Sequence, residues 1–94
     1  MNPMYQWTDE RYNPAVVARI QDRFPLRIKV RHIRDERTGV VTNWRQHSRW
    51  NRAAGQRVWH DQVKVVWDIP SEDYKWVPRG ARESWVDVAN VEVI

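Results

Sequence analysis

The spacing of hydrophobic positions changes twice along the chain. Residues 1–12 show no period and predict a flexible arm, with Tyr5, Trp7 and Tyr12 as its candidate anchors. Over 13–25 the spacing becomes helical: Val17, Ile20 and Phe24 stand at i, i+3 and i+7. Asn13 is a good N-cap, Pro14 fits the first helical position, and Pro25 disfavours helix at the residue before it. These signals predict a short helix over 14–23.

From Leu26 the period is two. Leu26, Ile28 and Val30 alternate with Arg27, Lys29 and Arg31, a strand with a basic outer face. Asp35–Gly39 is a turn cluster. Val40, Thr42 and Trp44 then alternate with Val41, Asn43 and Arg45, a second strand completing a hairpin. Arg45–Arg57 has no strand period and reads as a loop or a single helical turn, with Ser48 as N-cap and Gly55 as stop. Val63, Val65, Trp67 and Ile69 mark a third strand, with Lys64 and Asp68 on its other face. Tyr74, Trp76 and Val77 suit a short edge strand before Pro78. Trp85–Val88 and Val91–Ile94 suit two more, separated by a tight helical turn. The expected buried set is Leu26, Ile28, Val30, Val63, Val65, Val86, Val88, Val91 and Val93, with Arg27, Lys29, Arg31 and Glu92 outside. One domain over 13–94 follows, mainly β, with five or six short strands.

Three stretches carry a resemblance. RIKVRHIRDERTGVVTNW is a strand, a turn and a T-G-x-V strand; QVKVVWDIP is a strand ending in W-D; ESWVDVANVEVI is a strand, a helical turn and a closing strand. Over 26–94 the chain resembles the SH3-like small β-barrel in its Tudor and KOW variants. The resemblance implies a five- to six-stranded barrel with the helix packed on it. It departs in the long Arg45–Arg57 segment and in the inserted YKWVPRGAR. Tudor-type readers hold methylated side chains in an aromatic cage, and KOW-type modules contact RNA or polymerase. Neither role transfers with the fold alone.

Composition sharpens the picture. Seven of the 94 residues are Trp, and the formal net charge is +4. Arginine far outnumbers lysine, which suits stacking and fork-like hydrogen bonds to anions, and also fits a GC-rich genome. Nine basic residues between Arg27 and Arg57 face only Asp35 and Glu36 there, whereas from Val58 onward seven acidic residues outnumber four basic ones. Such polarity implies an acidic partner or head-to-tail self-association, unless the fold mixes the halves. Without cysteine there is no disulfide or thiolate site. No apolar run reaches membrane-spanning length and no leader-like segment opens the chain. The expectation is a soluble, unexported protein of the cytoplasm of a bacterium or an infected host cell.

Three sets of residues are candidates for function. Trp44, Arg45, Arg49, Trp50, Arg52 and Arg57, extended by Arg27, Lys29 and Arg31, supply phosphate contacts and stacking planes, the equipment of nucleic-acid binding. On a helix Arg45, Arg49 and Arg52 would share one face. The segment reads equally as a solvated loop whose tryptophans plug a barrel end. Trp67, Trp76, Trp85 and Tyr74, with Asp68 or Asp73, suit an aromatic cage, although Trp67 and Trp85 read better as core. His32, His47 and His60 are singletons; no metal-ligand spacing, nucleophile motif or Gly-rich phosphate loop is present. The expectation is a non-catalytic binding module, with no cofactor and no metal, that contacts nucleic acid. The alternative is a protein-interaction module, a bacterial or phage accessory protein using Trp50, Tyr74 and Trp76 on an acidic partner.

Overall fold

The computed structural model describes residues 13–94; the expected arm over 1–12 lies outside them. Helix α1 is Pro14–Arg23. The Asn13 side chain accepts from the Ala15 N–H at 2.9 Å, Pro14 stands in the first turn, and the helix stops at Phe24, before Pro25. Ile20 and Phe24 are buried and Val16 packs beside them. The core stripe therefore runs through Val16 rather than the expected Val17.

Five antiparallel strands follow: β1 Lys29–His32, β2 Thr38–Asn51, β3 Gln56–Trp67, β4 Glu83–Asp87 and β5 Val91–Val93. Their order is β4-β3-β2-β1-β5. The sheet is open: among the described residues β4 and β5 form its two edges and do not pair, and a 3₁₀ turn over Val88–Asn90 links them. Its inner face carries Val30, Val41, Val63, Val65, Trp67 and Val91, covered by Ile20 and Phe24 of α1.

Several expectations change, each for a local reason. Leu26 is 55% exposed, because Arg27 adopts a left-handed φ of 67° and the Ile28 N–H turns back onto the Pro25 carbonyl; the strand starts only at Lys29. Val93 is also exposed, although it pairs with buried Val30, since β5 is an edge. Ile28, Val86 and Val88 are half-buried against the core. Arg27, Lys29, Arg31 and Glu92 do face solvent. In β2 the inner residues are Gly39, Val41 and Trp44. A bulge at Thr42, between the pairs Val41↔Val65 and Asn43↔Lys64, lets positions three apart reach the same face. Ile69 lies past the end of β3 yet packs on the core. The expected edge strand at Tyr74, Trp76 and Val77 is instead a 3₁₀ turn over Tyr74–Trp76, followed by a short helix α2, Arg79–Arg82. Successive i→i+3 hydrogen bonds from Asp73 to Pro70 and from Trp76 to Asp73 take the backbone groups a strand needs. Among the described residues the strands number five, within the expected five or six, and they make an open sheet rather than the expected closed barrel.

Candidate nucleic-acid interface

The segment Arg45–Arg57 is the least expected part of the molecule. Instead of a loop it forms the distal half of the β2–β3 hairpin, with Ser48 in mid-strand. β1 flanks β2 only over residues 38–40, and β4 flanks β3 only over 62–66. Past them six cross-strand pairs, Gln46↔Asp61 to Asn51↔Gln56, form a two-stranded ribbon without an outer strand among the described residues. At about 3.3 Å per residue the ribbon is roughly 20 Å long. The molecule is accordingly elongated, 50 × 28 × 26 Å. Arg52–Gly55 make the turn, which Gly55 closes with a φ of +65°.

Strand geometry divides the candidate residues between two faces. Trp44, Gln46, Ser48 and Trp50 lie on the face continuous with the core, opposite Val63, Asp61, Trp59 and Arg57 respectively. Arg45, His47, Arg49 and Asn51 lie on the other. Arg45, Arg49 and Arg52 thus do not share a helical face: the first two share a strand face and the third sits in the turn.

The outer face is neutralised within the molecule. Arg49 Nη2 meets Asp87 Oδ2 at 2.5 Å, and Gln62 Nε2 donates to Asp87 Oδ1 at 2.9 Å. Gln62, only 6% exposed, accepts from Arg45 Nε at 2.9 Å. The Arg45 guanidinium lies 4.1 Å from the Trp85 ring centre. Burial pushes the Asp87 carboxyl up, but hydrogen bonds from Gln62 and Arg49 outweigh it and hold the pKa below the ordinary value. Farther along, at the opposite end of β2 from the turn, Lys29 pairs with Asp68 and Arg31 with Glu92. Arg27 is exposed in the turn before β1.

On the core-side face α1 covers the ribbon's base. Arg19 grips Asp61 with two hydrogen bonds of 2.5 and 3.0 Å, and Gln46 Nε2 adds a third at 2.9 Å. The Arg19 bond is the chief reason the Asp61 pKa is lowered. Trp44 is withdrawn into the core margin, its Nε1 donating to the Phe24 carbonyl at 2.6 Å. Beyond the helix no other element among the described residues covers this face. Trp50 is 63% exposed and Trp59 40% exposed, and Arg57 Nη1 reaches Ser48 Oγ at 3.1 Å. Of the nine candidates the structure thus gathers Trp50, Arg52 and Arg57 at the ribbon's end, sets Arg45 and Arg49 behind them, and holds Arg27, Lys29, Arg31 and Trp44 elsewhere.

The expected cage rings already carry the chain's own cations. Arg37 lies 4.3 Å from the centre of buried Trp67, Arg82 lies 4.0 Å from that of Tyr74, and Lys75 lies 5.1 Å from that of Trp76. Tyr74 and Trp76, both exposed, follow the far end of β3 from Trp50, so the three partner-binding candidates do not form one patch. Asp68 is held by Lys29 and Thr38. His32 Nδ1 accepts from the Arg34 N–H at 3.2 Å, and its ring lies 6.2 Å from Trp67. Among the described residues no three His, Cys, Asp or Glu side chains are grouped to hold a metal ion.

Trp59 escaped the sequence reading. It sits two and four residues ahead of Asp61 and Val63, in phase with the core, but a loop or helical turn over 45–57 leaves no strand reaching back far enough to include it. No helix among the described residues is long and apolar enough to cross a membrane. Compared with known proteins, the chain matches no family model, no curated protein and no solved structure.

Proposed function

We propose that this chain is a non-catalytic binding module that contacts nucleic acid through the distal β2–β3 ribbon. One observation carries the reading. Between Arg45 and His60 the ribbon holds four arginines and no carboxylate, while an indole, Trp50, stands 63% exposed among them. A polyanion is the complement of such an end. The strand order, and the 3₁₀ turn ahead of the last strand, also support kinship with the SH3-like barrels of the Tudor and KOW type. A second reading, a protein partner, draws support from the ion pairs that neutralise the outer face and from exposed Trp76 and Tyr74.

Titration of the protein against labelled DNA and RNA at about 50 and about 200 mM salt tests the first reading. Replacing Arg52 and Arg57 by Ala should weaken binding for all sequences. Each lost phosphate contact should shallow the log–log salt slope by about 0.7 to 0.9. Absence of binding at the lower salt sinks this reading and favours a protein partner.

A further inference from the structure

We propose that Trp50 and Trp59 form a two-indole platform for single-stranded nucleic acid, with Arg57 set between them. The proposal rests on the nucleic-acid reading and adds the strand state and the residues that select it. The register places Trp50 opposite Arg57 and Ser48 opposite Trp59, so all four side chains occupy one face of the ribbon. The two tryptophans are diagonal neighbours, about 7–8 Å apart at the backbone. The hydrogen bond from Arg57 to Ser48 runs along the other diagonal and crosses between them. A guanidinium is thereby held on the same face as the two indoles, within reach of a phosphate joining two stacked bases.

Neither indole is part of the core, with 63% and 40% exposure on an element that has no outer strand among the described residues. Trp59 shares a shallow depression with Gln46 and with Asn13 and Val16 at the start of α1. Charge fixes the sign of the occupant. The nearest carboxylate along β3, Asp61, is already taken by Arg19 and Gln46, and the turn adds Arg52. Single strands suit the platform because their bases present open faces; in a duplex those faces are stacked on one another.

The test uses the full chain, an oligothymidylate, a duplex of equal length, and polyglutamate as a polyanion without bases. Trp50→Ala and Trp59→Ala should each weaken oligothymidylate binding about tenfold, and leave the salt slope and duplex binding nearly unchanged. Trp76→Ala, exposed but off the ribbon, serves as the control and should bind as the parent does. Trp50→Phe and Trp59→Phe keep an aromatic face. They should retain affinity, and the double Phe variant should lose the quenching of indole emission that oligothymidylate causes. That variant keeps the test decisive if the Ala variants fail to fold. Equal affinity for single strand and duplex, indifferent to both tryptophans, overturns the platform and leaves the nucleic-acid reading standing. Binding to polyglutamate alone overturns both and points to an acidic protein.

Discussion

A methyl group at position 39 has no room. A Cβ built on Gly39 would lie 2.5 Å from the Val66 carbonyl oxygen and 2.6 Å from Val65 Cγ1. The first of these is backbone near the end of β3, paired on both sides with β2 and β4, and cannot rotate away. Gly39→Ala should therefore destabilise the protein by about 3 kcal/mol or prevent folding, measured by denaturant unfolding. A chain that unfolds like the parent would show that β2 and β3 can part locally. Composition alone marks Gly39 as a turn residue, because glycine serves turns and close approaches alike. Only the pairing Gly39↔Trp67 assigns it to the second use. Val30, Val63 and Val65, by contrast, follow from alternation and are fully buried.

At the scale of elements, α1 was the most legible, since cap, first-turn proline and terminating proline are each local signals. Asn13→Ala should cost about 1 kcal/mol of stability in thermal or denaturant melts. Its docking face was legible in Ile20 and Phe24, which are buried, but its tether was not: the bridge from Arg19 to Asp61 spans 42 residues and leaves no trace in periodicity. The ribbon was missed for a related reason. Past the core both its faces are polar or aromatic, so alternation has no hydrophobic contrast to report. Its acid response follows from its carboxylates. Asp61 and Asp87 both have folded pKa values below the ordinary one, so the folded state binds fewer protons than the unfolded chain as pH falls. Their stabilisation is complete above the unfolded value of about 3.9 and is lost as pH drops through the folded values. Melting temperature should fall across that acid window, and Asp61→Asn with Asp87→Asn should reduce the dependence there.

Over the whole molecule, the basic and acidic halves of the sequence do not remain opposed. Lys29–Asp68, Arg31–Glu92 and Arg49–Asp87 each join one half to the other, so folding cancels much of the polarity that the linear chain displays. The first two pairs are exposed and individually worth little to stability, and the third is half-buried on its Asp87 side; their shared consequence is to restrict where an anion can bind. Lys29→Ala and Arg31→Ala should then leave nucleic-acid affinity almost unchanged, whereas Arg52→Ala weakens it, in titrations at low salt. An equal loss in all three would mean a binding surface spread along β1. Charge cancellation of this kind depends on topology, which no count of residues contains.

The single extra residue at Thr42 has one more effect. Removing it would join Val41↔Val65 directly to Asn43↔Lys64, and every later pair would keep both its partner and its face. A bulge bends and over-twists its strand. A Thr42 deletion should thus preserve the tryptophans, the arginines and the register while pointing the whole hairpin in a new direction. The chemistry of the tip and the aim of the arm are then separable properties, the second of them set by one threonine near the arm's root.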